Sequence, residues 1–298
     1  MKIPISRRFL SLFFIAISST LLPPATALQA QSSWFDPSGL VHTLEARNSG
    51  WTDLSAELTL QFLTHTGQQG FCRARLFYDR LYEKLLLQGY NNKNELLFAL
   101  KASDRQFELY LSDLNTIYYG DMFDLETRDD LDAFISPLDF YRALKIAAVS
   151  PSQTKILSRE PKAVTFAVKG KNRHVTYNAR SLTMNTKGDV LIERYFHFNG
   201  TPQTTIERGH FKDVEVPSAY KNQKIAYPFM IVILKNAGQE DTKSEKRTKL
   251  LFKRVDFNHS LSGEDWDSAF PQEAVRTPVG EDVWRTAQKS AQASPATP

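Results

Sequence analysis

The chain has 298 residues, 42% of them apolar, 23% charged and 12% aromatic, with a single cysteine and a formal net charge of +4. Disorder needs fewer apolar residues and more net charge, a collagen-like chain needs far more than 13 glycines, and a disulfide scaffold needs more than one cysteine. The length allows one large domain or two modest ones, with ample chain for a core.

Residues 1–30 have three zones. Lys2, Arg7 and Arg8 form a positive region, and Phe9 to Leu22 is a mostly apolar stretch too short and too serine-interrupted to span a bilayer. Pro23 and Pro24 break it, and Ala25-Thr26-Ala27 supplies small residues for a cleavage site. This is the pattern of a secretory signal peptide, and a cut after Ala27 or Ala30 fits equally well. Ser6-Arg7-Arg8-Phe9-Leu10 also resembles a twin-arginine signal, with the spacing to Phe9 one residue short. Removing the three leader cations leaves 34 basic against 33 acidic residues, so the basic balance does not support a nucleic-acid partner. No cysteine follows the apolar run, which excludes a lipobox anchor, and no second apolar stretch approaches the length of a membrane helix. The expectation is an exported protein, soluble in the periplasm after cleavage. Cys72 sits in an alternating strand pattern and reads as a buried structural thiol.

Phe35 to Asn48 is predicted as a helix, with Asp36 as cap, Pro37 in the first turn and Leu40, Val41 and Leu44 on one face. Asn48-Ser49-Gly50 stops it. The period then changes: Leu54, Ala56, Leu58, Leu60 and Phe62 alternate with polar residues, as in a half-buried strand. Strands are predicted at 71–78, 82–90, 96–101, 107–111 and 116–119, joined by connections too short for parallel crossovers. The acidic run Asp121 to Asp132 interrupts this meander and reads as a solvated loop. Ser136-Pro137-Leu138-Asp139 then opens a helix with Phe140, Tyr141, Leu144 and Ala148 as its apolar stripe. Strands resume at 154–159, 162–169, 173–185, 189–198, 203–214, 226–235 and 248–257. One domain over 31–271 is expected, followed by a polar tail over 272–298 that is largely disordered. Twelve or thirteen strands against two main helices must form a sheet that curls or closes.

Catalytic and metal chemistry finds no pattern in this sequence. His42, His65, His174, His197, His210 and His259 lack metal-ligand spacing, and there is no nucleophile elbow or phosphate-cradling glycine loop. The expectation is a protein that is not an enzyme and holds no cofactor or metal. Both faces of the strands carry large apolar residues, such as Phe71 and Phe77 against Leu76 and Tyr78. Either they fill a core, or a curved sheet leaves an apolar cavity.

The order of these elements, an export signal, a short helix, a meander, a helical interruption and a second run of strands, resembles the LolA/LolB superfamily of periplasmic outer-membrane lipoprotein carriers. Gly70 through Leu85, with Leu76-Phe77-Tyr78-Asp79-Arg80, resembles its second and third strands, with Leu81 where that family usually has proline. Gly89 through Gly120 resembles the strands that follow. Tyr227-Pro228, Val255-Asp256-Phe257-Asn258 and Phe270-Pro271 resemble the late strands and closing segment. The resemblance implies a mainly β fold with a few helices, in which a curved antiparallel sheet forms an unclosed half-barrel under a helical lid. It implies a cavity lined by Leu58, Leu60, Phe62, Leu76, Tyr78, Phe107 and Leu109, a lid carrying Phe134, Phe140, Tyr141 and Leu144, and Arg80 as the latch that bonds lid backbone. The implied function is a monomeric periplasmic carrier that takes the acyl chains of lipoproteins or lipids from an inner-membrane release complex to an outer-membrane acceptor. The alternative on the same scaffold is a non-catalytic envelope sensor that recognises lipoproteins and regulates a partner.

Overall fold

Alternation of apolar and polar residues dictates the sheet, because each strand has one face to bury. A computed structural model describes residues 37–63, 69–122, 136–146, 148–172, 175–217, 223–235, 246–259 and 266–279. The signal-peptide region, most of the acidic run and the end of the tail lie outside the described residues.

In chain order the elements are α1 (Pro37–Ser49), β1 (Asp53–Leu63), β2 (Gln69–Asp79), β3 (Lys84–Tyr90), β4 (Leu96–Ser103), β5 (Gln106–Leu111), β6 (Thr116–Asp121) and α2 (Pro137–Leu144). There follow β7 (Thr154–Glu160), β8 (Ala163–Asn172), β9 (Val175–Asn185), β10 (Val190–Phe196), β11 (Pro202–Val216), β12 (Gln223–Lys235), β13 (Lys246–Phe257) and β14 (Val275–Pro278). All join one sheet, in the order β14-β6-β5-β4-β3-β2-β1-β13-β12-β11-β10-β9-β8-β7. The pairing of β1 with β13 brings the two runs of strands together, and β7 and β14 remain as edges, so the half-barrel is unclosed. Every pairing is antiparallel except that of β14 with β6.

The registers place one row of inward residues from strand to strand. Phe166 lies opposite Leu182, Leu182 opposite Glu193, Glu193 opposite Ile206, and Ile206 opposite Ile233. On this concave face the main core gathers Leu54, Leu58, Leu60, Leu76, Leu87, Leu100, Ile231, Leu250 and Phe257, and α2 adds Phe140, Ala143 and Leu144. Two glycines let aromatic rings lie flat on the sheet. A Cβ on Gly89 would stand 2.2 Å from the Phe98 ring, and one on Gly70 would stand 2.2 Å from that of Phe62. A smaller core covers the far end of the same face, where Leu44 of α1 packs with Val164, Phe166, Leu182 and Met184.

Three expectations shift. Tyr82 is an exposed turn residue and not part of a strand, because Asp79 Oδ1 accepts from the Leu81 and Tyr82 amides and closes a turn before β3. Helix α2 ends at Leu144, and Lys145 is extended, so Ala148 leaves its stripe. The folded chain also continues past 271. Trp266, Ala269, Phe270 and Ala274 pack on the convex face against Phe77, Leu86, Ala99 and Tyr110. β14 then pairs with β6, because this short stretch has apolar anchors that the composition of the whole tail conceals.

Candidate functional site

Helix α2 is amphipathic, and its two sides meet chemically different parts of the concave face. Proline at its start fixes φ where no amide partner is needed, and Asp139 in its first turn suits the helix dipole. Its apolar side buries Phe140, Ala143 and Leu144 in the main core. Of the residues expected to line a cavity, Leu58, Leu60, Leu76, Tyr78, Phe107 and Leu109 are buried in that same cluster, on the face that α2 covers. Phe62 is only half-buried, over Gly70. Phe134 lies outside the described residues.

The other side of α2 faces charge. Glu193, with no exposed surface, pairs with Arg208 at 2.9 Å and with Arg180 at 3.3 Å. Arg208 also donates through Nη2 to the carbonyls of Arg142 (2.9 Å) and Ala143 (3.2 Å), and its Nε lies 3.3 Å from the latter. These carbonyls belong to the last turn of α2, where helical partners run out and the dipole is negative. One arginine therefore ties the helix end to the floor of the sheet. Tyr195 donates to Glu193 (2.9 Å), and its ring lies under the Arg142 guanidinium at 4.4 Å. Asp139 adds a hydrogen bond from Thr204 (3.2 Å) and ion pairs with Arg142 (3.7 Å) and Lys235 (3.6 Å).

Arg80, expected as the latch, lies beside Trp51. Its guanidinium stacks on the Trp51 ring at 5.2 Å, and its Nε is buried without a hydrogen-bond partner among the described residues. The lid carbonyls are taken by Arg208, which reaches them from the opposite half of the sheet. The sequence reading missed Arg208, Arg180 and Glu193, yet a signal was there. Each sits in the apolar phase of its strand, Arg180 beside Leu182 and Arg208 beside Ile206, where a charge must find a buried partner.

At the edge of α2 a cleft of about 340 Å³ is walled by Tyr78, Met122, Leu138, Tyr141 and Tyr195, with Glu83, Asp104, Arg105, Arg142 and Lys145 around them. The Tyr141 hydroxyl bridges α2 to the barrel, its one proton shared between the carbonyl of Glu83, in the turn before β3, and that of Ala102 in β4. Lys145 adds an ion pair with Glu83 at 2.7 Å. Burial pushes the hydroxyls of Tyr78, Tyr141, Tyr195 and Tyr227 well above their ordinary range. They remain neutral donors at any physiological pH. Among the described residues no group of three or more His, Cys, Asp or Glu could hold a metal ion, and no helix is long and apolar enough to cross a membrane.

This open antiparallel half-barrel with a helix seated on its concave face is similar to solved structures. A structure described as an outer-membrane lipoprotein-sorting protein domain, from Vibrio parahaemolyticus, superposes with a TM-score of 0.52 at 12% identity, covering 77% of this chain and 95% of that one. A LolA superfamily protein from Nitrosomonas europaea gives 0.50 at 10% identity, covering 77% and 96%. A DUF1329 family protein from Desulfovibrio piger gives 0.51 at 8% identity, covering 78% and 96%. The sequence matches no protein-family model and no curated protein. At these identities the likeness is one of fold.

Proposed function

We propose that this protein is an exported carrier which holds the acyl chains of lipoproteins or lipids between its curved sheet and α2, and hands them on toward the outer membrane. The observation that carries this reading is the seating of α2. It is an eight-residue amphipathic helix laid on an apolar floor, gripped at its end by buried Arg208 and flanked by an aromatic-walled cleft. Burial of apolar side chains holds the lid down without fixing its orientation, whereas the arginine fixes one position that can be released.

Acyl chains compete with Phe140 and Leu144 for the same floor. Each buried methylene contributes about 0.8 kcal/mol, so one or two chains suffice to displace a helix that buries three apolar side chains. Occupancy then shifts a two-state lid toward its open form, and no nucleotide or cofactor is required on the carrier. A monomer is sufficient for this cycle, with an inner-membrane complex as donor and an outer-membrane acceptor of higher affinity as recipient.

Native mass spectrometry of protein purified from membranes should show bound acylated species, and the delipidated protein should take up a fluorescent fatty acid. A protein that takes up no apolar probe would overturn the carrier reading. Capture of one regulatory partner without lipid would favour a sensor on the same scaffold.

A further inference from the structure

The convex face of the half-barrel carries cations that neither the core nor the lid uses. Along β1, Leu54 to Phe62 alternate toward the core, so Glu57, Thr59 and Gln61 point outward. On one side the register sets Arg75, Arg73 and Phe71 of β2 beside these three in turn. On the other it sets Arg254 beside Glu57 and Lys249 beside Gln61, with Lys253 as the extra residue of a bulge between them.

Two clefts follow one another along this stretch. The first, of about 350 Å³, has Glu57, Arg73, Arg75, Tyr90 and Lys253 on its walls, and the second, of about 430 Å³, has Gln61, Phe71, Arg247 and Lys249. Among the described residues Glu57 is the one carboxylate on either wall. Arg73, Arg75, Arg247, Lys249 and Lys253 form no ion pair among those residues. Arg73 donates to the Asn91 carbonyl (3.1 Å) and to Asn94 Oδ1 (2.7 Å), and Arg75 stacks on the Tyr90 ring at 5.8 Å. The neighbouring Arg254 is held by Asp256 at 2.8 Å. This excess is local. With the three leader cations set aside, the chain's 37 basic residues fall to 34 against 33 acidic ones, so overall charge does not draw it to an anionic partner.

The arrangement selects the partner. The cations are spread over two strands flanking β1 and along roughly 20 Å of it, at about 3.4 Å per residue. On long flexible stems they have no fixed pairing geometry, which suits a field of laterally mobile phosphates better than the set positions of an acidic protein. Phe71 points the same way. It is 69% exposed, in phase with the cations, and stands across Gln61 from Lys249. An aromatic ring among cations is the composition that settles at a bilayer surface, where the ring leaves water and the charges meet phosphate.

We propose that the convex face of β1, β2 and β13 is a docking surface for a bilayer with anionic phosphate headgroups, with Arg73, Arg75, Lys249 and Lys253 over the phosphates and Phe71 in the interface. The concave face and α2 stay uncovered, so docking and cargo binding use different surfaces and neither requires the other.

The test is co-sedimentation of the mature chain, beginning after Ala27 or Ala30, with vesicles of mixed phosphatidylglycerol and phosphatidylcholine or of phosphatidylcholine alone. Binding is expected to the mixed vesicles only, weakening as salt is raised to about 0.5 M. Lys249→Gln/Lys253→Gln should lower the partition coefficient about thirtyfold, the weight of two cations at a headgroup surface. Phe71→Ser should lower it severalfold and keep the salt dependence. None of these side chains is buried, so melting temperatures should match the wild type. Lys155→Gln/Lys162→Gln makes the same charge change at exposed positions by the β7 edge and should leave binding intact. An equal loss in that variant, or no binding by the wild type, overturns the proposal. Retention on immobilised polyglutamate without vesicle binding overturns it in favour of an acidic protein partner. A chain that docks on the mixed vesicles yet takes up no fatty acid keeps this surface while the carrier reading falls.

Discussion

The two halves of the sheet hold the same helix by opposite means. Beneath its apolar side, β1 to β5 and β13 present leucine and aromatic side chains that pack Phe140 and Leu144. Beneath its polar side, β9, β10 and β11 present Arg180, Glu193 and Arg208, with hydrogen bonds to the helix backbone. Burial is proportional to area and tolerant of sliding, whereas a charge-assisted hydrogen bond is directional and is lost abruptly when its partner moves. A lid that must stay shut and yet open as a unit can use the first for strength and the second for position.

Breaking the polar half at its centre should have the largest effect. Glu193→Gln leaves two buried arginines without their shared counter-charge, and a loss of about 4 kcal/mol is expected in urea unfolding. If stability is unchanged, the charged half is a passive feature and the contrast fails. Breaking the apolar half comes next. Phe140→Ala removes a fully buried ring and should cost about 3 kcal/mol. Hydrogen exchange should then show loosened packing around Phe107 and Leu109, while the amides of the last turn of α2 stay protected by Arg208.

Arg208→Met should cost less overall, about 2 kcal/mol, because Glu193 keeps Arg180. Its signature is local: exchange of the 140–144 amides should accelerate and release of a bound fatty-acid probe should quicken. Arg80→Leu should cost about 1 kcal/mol through its stacking on Trp51 and leave that release rate alone. Equal effects of the two on release would return Arg80 to the latch.

Cys72 offers the gentlest probe of the apolar half. Burial pushes its thiol from an ordinary 9.0 up to about 11, against a smaller opposing effect of the Tyr90 backbone. A raised folded value means the stabilisation is whole below pH 9 and is lost as pH climbs toward 11. At pH 8 iodoacetamide should label the folded protein slowly and the urea-unfolded protein quickly. Rapid labelling of the folded chain would show that the apolar half is open.

Much of this architecture was legible in the residues. The period-2 alternation of Leu54 to Phe62 marked β1, and Ser136-Pro137 with the stripe of Phe140 and Leu144 marked α2, because both signals are local. The same alternation pointed to Leu58, Leu60, Leu76 and Tyr78 as one face. Arg208 as the holder of the lid was not legible. Arg80 stood at a position echoing a familiar pattern, whereas Arg208 meets the helix across more than sixty residues of chain.

The sequence by itself determined the strands, the helices and the side of each that must be buried, since those follow from the spacing of apolar residues along the chain. Only the tertiary structure decided that β1 pairs with β13, which bends two runs of strands into one half-barrel and brings β9 to β11 beneath α2. The contact of Arg208 with the end of α2 and the pairing of Glu193 with two arginines both follow from that closure. They are contacts between residues distant in sequence, and no local period records them.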